Sequence, residues 1–268
     1  MRILFTAADG CRIHVETFGS VGPRLLLIPG LGGDGRFFSG VVADLQRDHR
    51  LILMDHRGAG RSDRPDTGYS IPLIAADAAA LLTQTGGAAH VIGHSTGGAI
   101  VQDLLLDHPD LCLSGTISSS WARADARFRA LFTARAELLE AGLAGSYQRL
   151  THVFCHDAST LEREADRLDL AVSDAATALA PLAVAARRVR MLLHHDRLAD
   201  LHRITRPVQV IAAEDDILTP PALTQAVAEA IPDASFVMVP GAHFHPMARP
   251  TAFAAAVRSF LARHAHDR

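Results

Sequence analysis

The stretch Ala89-His90-Val91-Ile92-Gly93-His94-Ser95-Thr96-Gly97-Gly98-Ala99-Ile100-Val101 decides the fold. It begins as a short apolar run of strand type, passes through Gly93-x-Ser95-x-Gly97, and continues as helix-compatible sequence. A G-x-S-x-G motif carries chemical meaning only in that setting, with strand, sharp turn and helix in succession. Glycine at both ends lets the arms of the turn pass closely, where a Cβ would obstruct. Such a turn exposes the Ser95 hydroxyl at its apex. It also places the Thr96 N–H at a helix N-terminus, where unpaired donors and the helix dipole favour an anion. The bland alternative is a glycine-rich turn holding an incidental serine.

Upstream, residues 3–5 and 12–18 alternate in polarity and predict an opening antiparallel pair. Residues 25–28 and 51–54 are continuous apolar runs, as expected of strands buried on both faces. The first empties into Pro29-Gly30-Leu31-Gly32-Gly33-Asp34-Gly35, followed by a helix over 37–47; the second empties into Asp55-His56-Arg57-Gly58-Ala59-Gly60-Arg61-Ser62. Helical spacing over 71–85 stops at Gly86-Gly87, and the helix after the elbow stops at Pro109. Downstream, 113–117 is a strand, and then the rhythm breaks: 122–203 shows only helical pattern. Strands return at 208–213 and 235–239, with helices over 222–230 and 251–265. Strands alternating with helices mean right-handed parallel βαβ units. The predicted architecture is one α/β core, residues 1–121 and 204–268, with residues 122–203 spliced in as an all-helical lid.

The chain has 268 residues and a formal net charge of −3, enough length for a large core and no excess of positive charge. All 26 basic residues are arginines, scattered rather than clustered, so neither nucleic acid nor an anionic membrane is an expected partner. The expected partner is a small-molecule substrate, and oligomeric state is left open between monomer and homodimer. Cys11, Cys112 and Cys155 are widely spaced and odd in number, which predicts reduced thiols and a cytoplasmic protein. The amino terminus is too soon acidic for a signal peptide, and the longest apolar stretch, near 175–186, is interrupted by Pro181.

With these residues in place, the chain resembles the α/β-hydrolase superfamily along nearly its whole length. The resemblance rests on the Ser95 elbow, the Asp55…Gly58…Gly60…Ser62 pattern, Asp216-x-x-x-Pro220 and Gly241-x-His243, in the family's order. Within the superfamily it is most similar to the group of 3-oxoadipate enol-lactonases and the aminoacrylate hydrolase of pyrimidine utilisation. Gly30-Leu31-Gly32-Gly33, Trp121 and a lid ending in His194-His195-Asp196 carry that closer likeness. The resemblance implies a mostly parallel eight-stranded sheet flanked by helices. One departure stands out: many relatives have His-Gly before the oxyanion residue, whereas Pro29 precedes Gly30 here, so a bond bracing that loop is expected to be missing.

The roles follow from the chemistry that a serine nucleophile requires. A hydroxyl is a weak nucleophile near neutral pH and needs a base within reach. His243 is the candidate base, with His245 its rival two residues on; the Gly241-x-His243 spacing favours the former. Asp216 is the candidate acid that fixes the imidazole tautomer, with Asp215 adjacent as the alternative. The main-chain N–H groups of Leu31 and Thr96 are the candidate oxyanion donors. Gly30, His94 and Trp121 are candidate pocket residues, Trp121 being equally compatible with a place in the core. Arg57 and Arg61 are expected to organise their loop, with substrate-carboxylate binding the alternative. Arg127, Arg129, His152, His156, Arg187 and Arg188 in the lid are possible contacts for an anionic substrate or plain solvated charges.

No cofactor is expected, since the glycine-rich loop lacks G-K-[ST]. No catalytic metal is expected either: His194-His195-Asp196, His243-Phe244-His245 and His264-Ala265-His266 lack zinc-ligand spacing. The function these observations predict is a serine hydrolase of small esters, enol-lactones or carbamate-like substrates, working through an acyl-enzyme on Ser95. The alternatives are C–C bond hydrolysis or perhydrolase chemistry with the same residues, and a low-turnover receptor-like homologue.

Overall fold

The structure is a computed structural model and describes residues 1–264. Eight strands form one sheet: β1 (Arg2–Thr6), β2 (Arg12–Phe18), β3 (Arg24–Ile28), β4 (Arg50–Met54), β5 (Ala89–His94), β6 (Cys112–Ser118), β7 (Val208–Ala213) and β8 (Ser235–Val239). Their spatial order is β1-β2-β4-β3-β5-β6-β7-β8. β1, β2 and β4 pair antiparallel, and every pairing from β4 to β8 is parallel. Every residue of β3, β5 and β7 is buried. Continuous apolar runs therefore mark strands covered on both faces, as the sequence implies. β8 lies at the sheet edge and leaves Phe236 and Met238 exposed.

Two apolar cores sandwich the sheet. One gathers α2 (Ile71–Gln84) and α3 (Thr96–Asp107) over residues such as Ile28, Val91 and Ile117. The other packs α1 (Ser39–Leu45) and the last helix over Leu27, Ile92 and Ile211. The helix anticipated over 37–47 is shorter than expected, because Gly35–Phe38 forms a 3₁₀ turn first. Two carboxylates cause this: Asp34 accepts the Arg36 N–H and Asp55 the Gly35 N–H, which tightens the chain before α1 begins. Ser70 caps α2 by accepting the Leu73 N–H.

Between β6 and β7 come α4 (Ala126–Glu140), α5 (Ala144–Cys155), α6 (Ala158–Arg163), α7 (Ala165–Ser173), α8 (Ala175–Ala178) and α9 (Leu182–Met191). Asp125 and Asp157 cap α4 and α6 through backbone N–H groups. A single antiparallel bridge, Arg123 with Asp196, ties the two ends of this helical segment together. It is strengthened by an exposed ion pair of 2.9 Å between the same side chains. After β7 follow α10 (Pro221–Ala230), α11 (His245–Ala248) and α12 (Pro250–Arg263). Ala265 and His266, where the sequence suggested helix and a histidine pair, lie outside the described residues. Among the described residues no helix is long and apolar enough to cross a membrane.

The register places the site. Ile28, the last residue of β3, pairs with Gly93 near the end of β5, and Ser118, the last of β6, pairs with His94. The loops after β3, β5, β6, β7 and β8 thus leave from one edge, the carboxyl edge of the parallel strands, where open α/β sheets bind ligands.

Candidate active site

Ser95 joins β5 to α3 with φ 55° and ψ −116°, a left-handed conformation that side chains rarely adopt. Such strain costs about 1–3 kcal/mol and persists only where its surroundings enforce it. Here the enforcement is visible. The Ser95 N–H donates to Ser118 O at 2.8 Å, and Ser95 O accepts from the Gly98 N–H and the Ser120 hydroxyl, each at 2.8 Å. A Cβ on Gly93 would lie 2.1 Å from Gly97 O, and one on Gly97 would lie 2.0 Å from Ile28 O. Glycine is required at both positions for β5 and α3 to meet at this angle.

Asp216 and His243 are brought together by the loops after β7 and β8. His243 Nδ1 donates to Asp216 Oδ2 at 2.8 Å, and both side chains are buried. Asp216 Oδ1 accepts the N–H groups of Leu218 (3.0 Å) and Thr219 (2.8 Å), while the Thr219 hydroxyl lies 2.9 Å from Oδ2. Burial pushes the Asp216 carboxyl up, but His243 and these hydrogen bonds outweigh it and hold the group below the ordinary aspartate range. Asp215 is exposed, no hydrogen bond joins its carboxylate to His243 among the described residues, and its backbone N–H donates to Gly241 O. His245 faces Ser118, whose hydroxyl lies 3.0 Å from Nε2.

The hydrogen bonds of the His243 ring run through Nδ1, to Asp216 and Thr219. Ser95 and His243 both line one cavity of about 700 Å³, and among the described residues no hydrogen bond joins them. Catalytic hydrogen bonds are often long until a substrate closes on them. Gly30 packs against the serine, with only 3.2 Å between Ser95 Cβ and the position a Cβ would take. Among the described residues neither the Leu31 nor the Thr96 N–H donates to a protein acceptor, so both remain available to a ligand. Thr96 opens the twelve-residue α3, whose positive dipole end faces this edge.

Pro29 offers the glycine-rich loop no side-chain hydrogen bond, and the bonds present at Gly30 and Gly33 are main-chain ones. Gly33 N–H donates to Gly30 O at 2.9 Å and His56 N–H donates to Gly33 O at 2.7 Å, so main-chain bonds hold the turn. The Asp55-to-Ser62 segment is structural. Asp55 accepts from the N–H groups of Gly35 and Arg61 and from the Arg61 guanidinium, and Ser62 bridges His14 N–H and Asp55 O. Arg57 is buried between Asp77 and Asp9 at 2.6 and 2.7 Å and is absent from the cavity wall.

His94 lines the cavity, stacked on Phe37 with centroids 4.9 Å apart and tilted against His243 at 4.8 Å. Its Nδ1 lies 3.2 Å from the Ser118 hydroxyl, and burial first, then the neighbouring histidines, drive its pKa well below normal. Trp121 corrects the pocket-mouth expectation: it is fully buried, 4.5 Å from Phe128 and 6.0 Å from His195, and does not line the cavity. The chain turns into the helical segment at that point, and the indole fills the base of that segment instead of the site. Of the residues between 122 and 203 named from the sequence as contacts for an anionic substrate, none lines the cavity. Arg127 and Arg129 bond to Ile217 O and Ala124 O, His156 packs edge-on against Phe244, and Arg188 is buried behind Gly33 and Gly58.

The helical residues that do reach the cavity include Phe132, Arg135, Tyr147 and Thr151, joined by Phe37 and Phe244 from the core. Arg135 was not singled out in the sequence, although a signal existed. Phe128, Phe132, Arg135 and Leu139 recur at helical spacing, so Arg135 sits on the buried stripe of α4.

Fold and site together define the class: the chain belongs to the α/β-hydrolase family, whose model matches residues 23–250, and it is an enzyme of that family. Its relatives include "Putative carbamate hydrolase RutD" of Caulobacter vibrioides, 33% identical over 266 residues that cover 97% of this chain and 98% of the relative. A protein of the same name from Shigella flexneri is 32% identical, covering 92% of this chain and 94% of its own length. Among solved structures, the enol-lactonase of Burkholderia xenovorans superposes with a TM-score of 0.88 at 23% identity, over 97% of this chain and all of that one (100%), a likeness of fold.

Proposed function

We propose that this chain is a serine hydrolase of small carbonyl substrates, working through an acyl-enzyme on Ser95. The observation that carries the reading is the convergence of Ser95, in its strained turn, with the buried Asp216–His243 pair on one cavity. Ser95 Oγ attacks the carbonyl carbon while His243 Nε2 takes its proton. The oxyanion is held by the N–H groups of Leu31 and Thr96. Collapse expels the leaving group, which receives the proton from His243. A water molecule, deprotonated by the same ring, then releases the acid and restores Ser95. Asp216, satisfied by its backbone donors, keeps Nδ1 protonated so that Nε2 presents its lone pair to the serine. Helices α4 and α5 wall the cavity and select what enters, which makes residues 122–203 a lid in this reading.

Carbamate hydrolysis belongs to the printed names of the relatives, and a carbamate-like carbonyl is a candidate substrate here for that reason. Steady-state turnover of p-nitrophenyl acetate and butyrate by the wild type and Ser95→Ala tests the mechanism. The expected result is turnover well above the spontaneous rate that disappears in the variant. Undiminished activity in Ser95→Ala overturns it.

A further inference from the structure

We propose that the end of helix α5, at Cys155 and His156, is the mount of the candidate base. It positions His243 by holding Phe244, which makes His156 a positioning residue of the reaction. The proposal rests on the serine-hydrolase reading above and adds that α5 must be seated for the base to work. The last carbonyls of a helix have no partner within it. In α5 the His156 N–H takes His152 O, and the chain then turns extended, with φ −110° and ψ 150° at His156. That turn leaves Cys155 O to the Phe244 N–H, which donates to it at 3.0 Å. Among the described residues this is the one main-chain hydrogen bond between α4–α9 and the residues outside 122–203, and it falls on the neighbour of His243.

The side chain repeats what the main chain does. The His156 ring meets Phe244 edge-on, with centroids 5.2 Å apart and planes at 89°. Aromatic pairs favour that arrangement because a ring is positive at its edge and negative on its face. Phe244 also meets Phe37 at 5.6 Å, and its ring lies 5.8 Å from that of His243. Cys155 and His156 are both buried, so Phe244 rather than bulk water satisfies the carbonyl. The Nδ1 of His156 is buried with no hydrogen bond, so the ring works here by its shape. The bonds of the His243 imidazole itself, to Asp216 and Thr219, all run through Nδ1. Bonds at one atom leave a ring free to pivot about them, so the main chain that carries His243 sets where Nε2 points. That main chain has two anchors: Gly241 O takes the Asp215 N–H of the acid's loop, and the Phe244 N–H takes Cys155 O. One anchor comes with the carboxylate and the other from helix α5.

Two substitutions separate the ring from its chemistry. His156→Ala removes the contact with Phe244, whereas His156→Phe keeps an aromatic ring there. On p-nitrophenyl butyrate, His156→Ala should lower kcat roughly 10- to 100-fold with KM held within about twofold, the cost of misplacing a catalytic group by about 1 Å. His156→Phe should recover kcat to within about threefold of the wild type. The main-chain bond is tested alone by replacing Phe244 with its α-hydroxy acid, phenyllactic acid. That exchange turns the amide into an ester, removes the N–H and keeps the ring. kcat should fall about tenfold and KM should hold, and this variant serves if His156→Ala fails to fold.

A spectroscopic arm is independent of turnover. A proton held between an imidazole and a buried carboxylate resonates far downfield in the proton NMR spectrum, and its loss in His243→Gln assigns it. That signal should shift or broaden in His156→Ala and in the ester variant, and should keep its wild-type position in His156→Phe. Equal losses in the alanine and phenylalanine variants, or an unmoved downfield signal in His156→Ala, overturn this inference alone. So does a lower Tm with wild-type kcat and KM, the mark of a plain packing contact, and so does undiminished kcat in the ester variant. Retained activity in Ser95→Ala overturns the hydrolase reading instead, and the downfield signal then still decides whether α5 positions His243.

Discussion

His243 Nδ1 and Asp216 Oδ2 lie 2.8 Å apart, both side chains almost completely withdrawn from solvent. An ionised carboxylate only accepts, so the imidazole donates from Nδ1, and the base role proposed for His243 falls to Nε2.

Asp216→Asn tests that dependence. The amide can donate to Nδ1, which stabilises the wrong tautomer and leaves Nε2 protonated. The fold should survive, since Leu218 and Thr219 N–H still find an acceptor at residue 216. kcat toward p-nitrophenyl butyrate should fall by about 10⁴. Asp215→Asn, on the exposed neighbour, should change it little; equal losses in the two variants would refute the assignment.

Gly97→Ala addresses the elbow. The added methyl would stand 2.0 Å from Ile28 O and 2.8 Å from Pro29 O, both backbone atoms that cannot step aside cheaply. The expected loss is about 3 kcal/mol or more, read as a lower urea midpoint. Gly142→Ala, where a Cβ would meet nothing within 4 Å, loses only what its φ of 77° imposes and should fall well short of that.

Acid stability follows from buried histidines. Burial, the first cause in each case, holds His195 down to about 4 and His245 to about 3, and His56 and His94 well below normal. Each is neutral when folded and binds a proton near pH 6.5 when unfolded. The unfolded state therefore holds more protons below that pH, and stability, complete above about 6.5, is lost as pH falls toward 4. Asp103 opposes the trend, since burial raises its carboxyl to about 6 and favours the folded state on acidification. Four histidines outweigh it. The unfolding free energy should drop between pH 6.5 and 4.5, and His195→Gln should make the slope shallower by up to about 1.4 kcal/mol per pH unit. A flat profile in the wild type would contradict this account.

Arg57→Met should destabilise without touching the chemistry. The substitution strands the buried Asp77 without its cation and costs about 3–5 kcal/mol. At a temperature far below unfolding, KM should hold; a selective rise in KM would instead make Arg57 a substrate ligand.

Much of this was legible in the sequence because the decisive features are local. The continuous apolar runs at Leu25–Leu27 and Leu51–Leu53 mark doubly covered strands, and Gly93 and Gly97 flank a turn no other residue permits. What escaped depends on how distant segments pack. Trp121 follows a strand end, where site walls usually stand, yet Phe128 and His195 enclose it, and neither contact is visible in spacing. Arg135 looks like one more helical charge until Thr151 and Tyr147, on the next helix, fold around it. The 3₁₀ turn before α1 depends on Asp55, twenty residues beyond Gly35.

The central claim is that Ser95 is the nucleophile, and a fluorophosphonate probe tests it most directly. After incubation with wild-type protein, intact mass should rise by one adduct, and peptide mapping should place it on Ser95. Ser95→Ala should stay unlabelled and Asp216→Asn should label far more slowly. An adduct on any other residue, or equal labelling of the Ser95→Ala protein, would contradict the account.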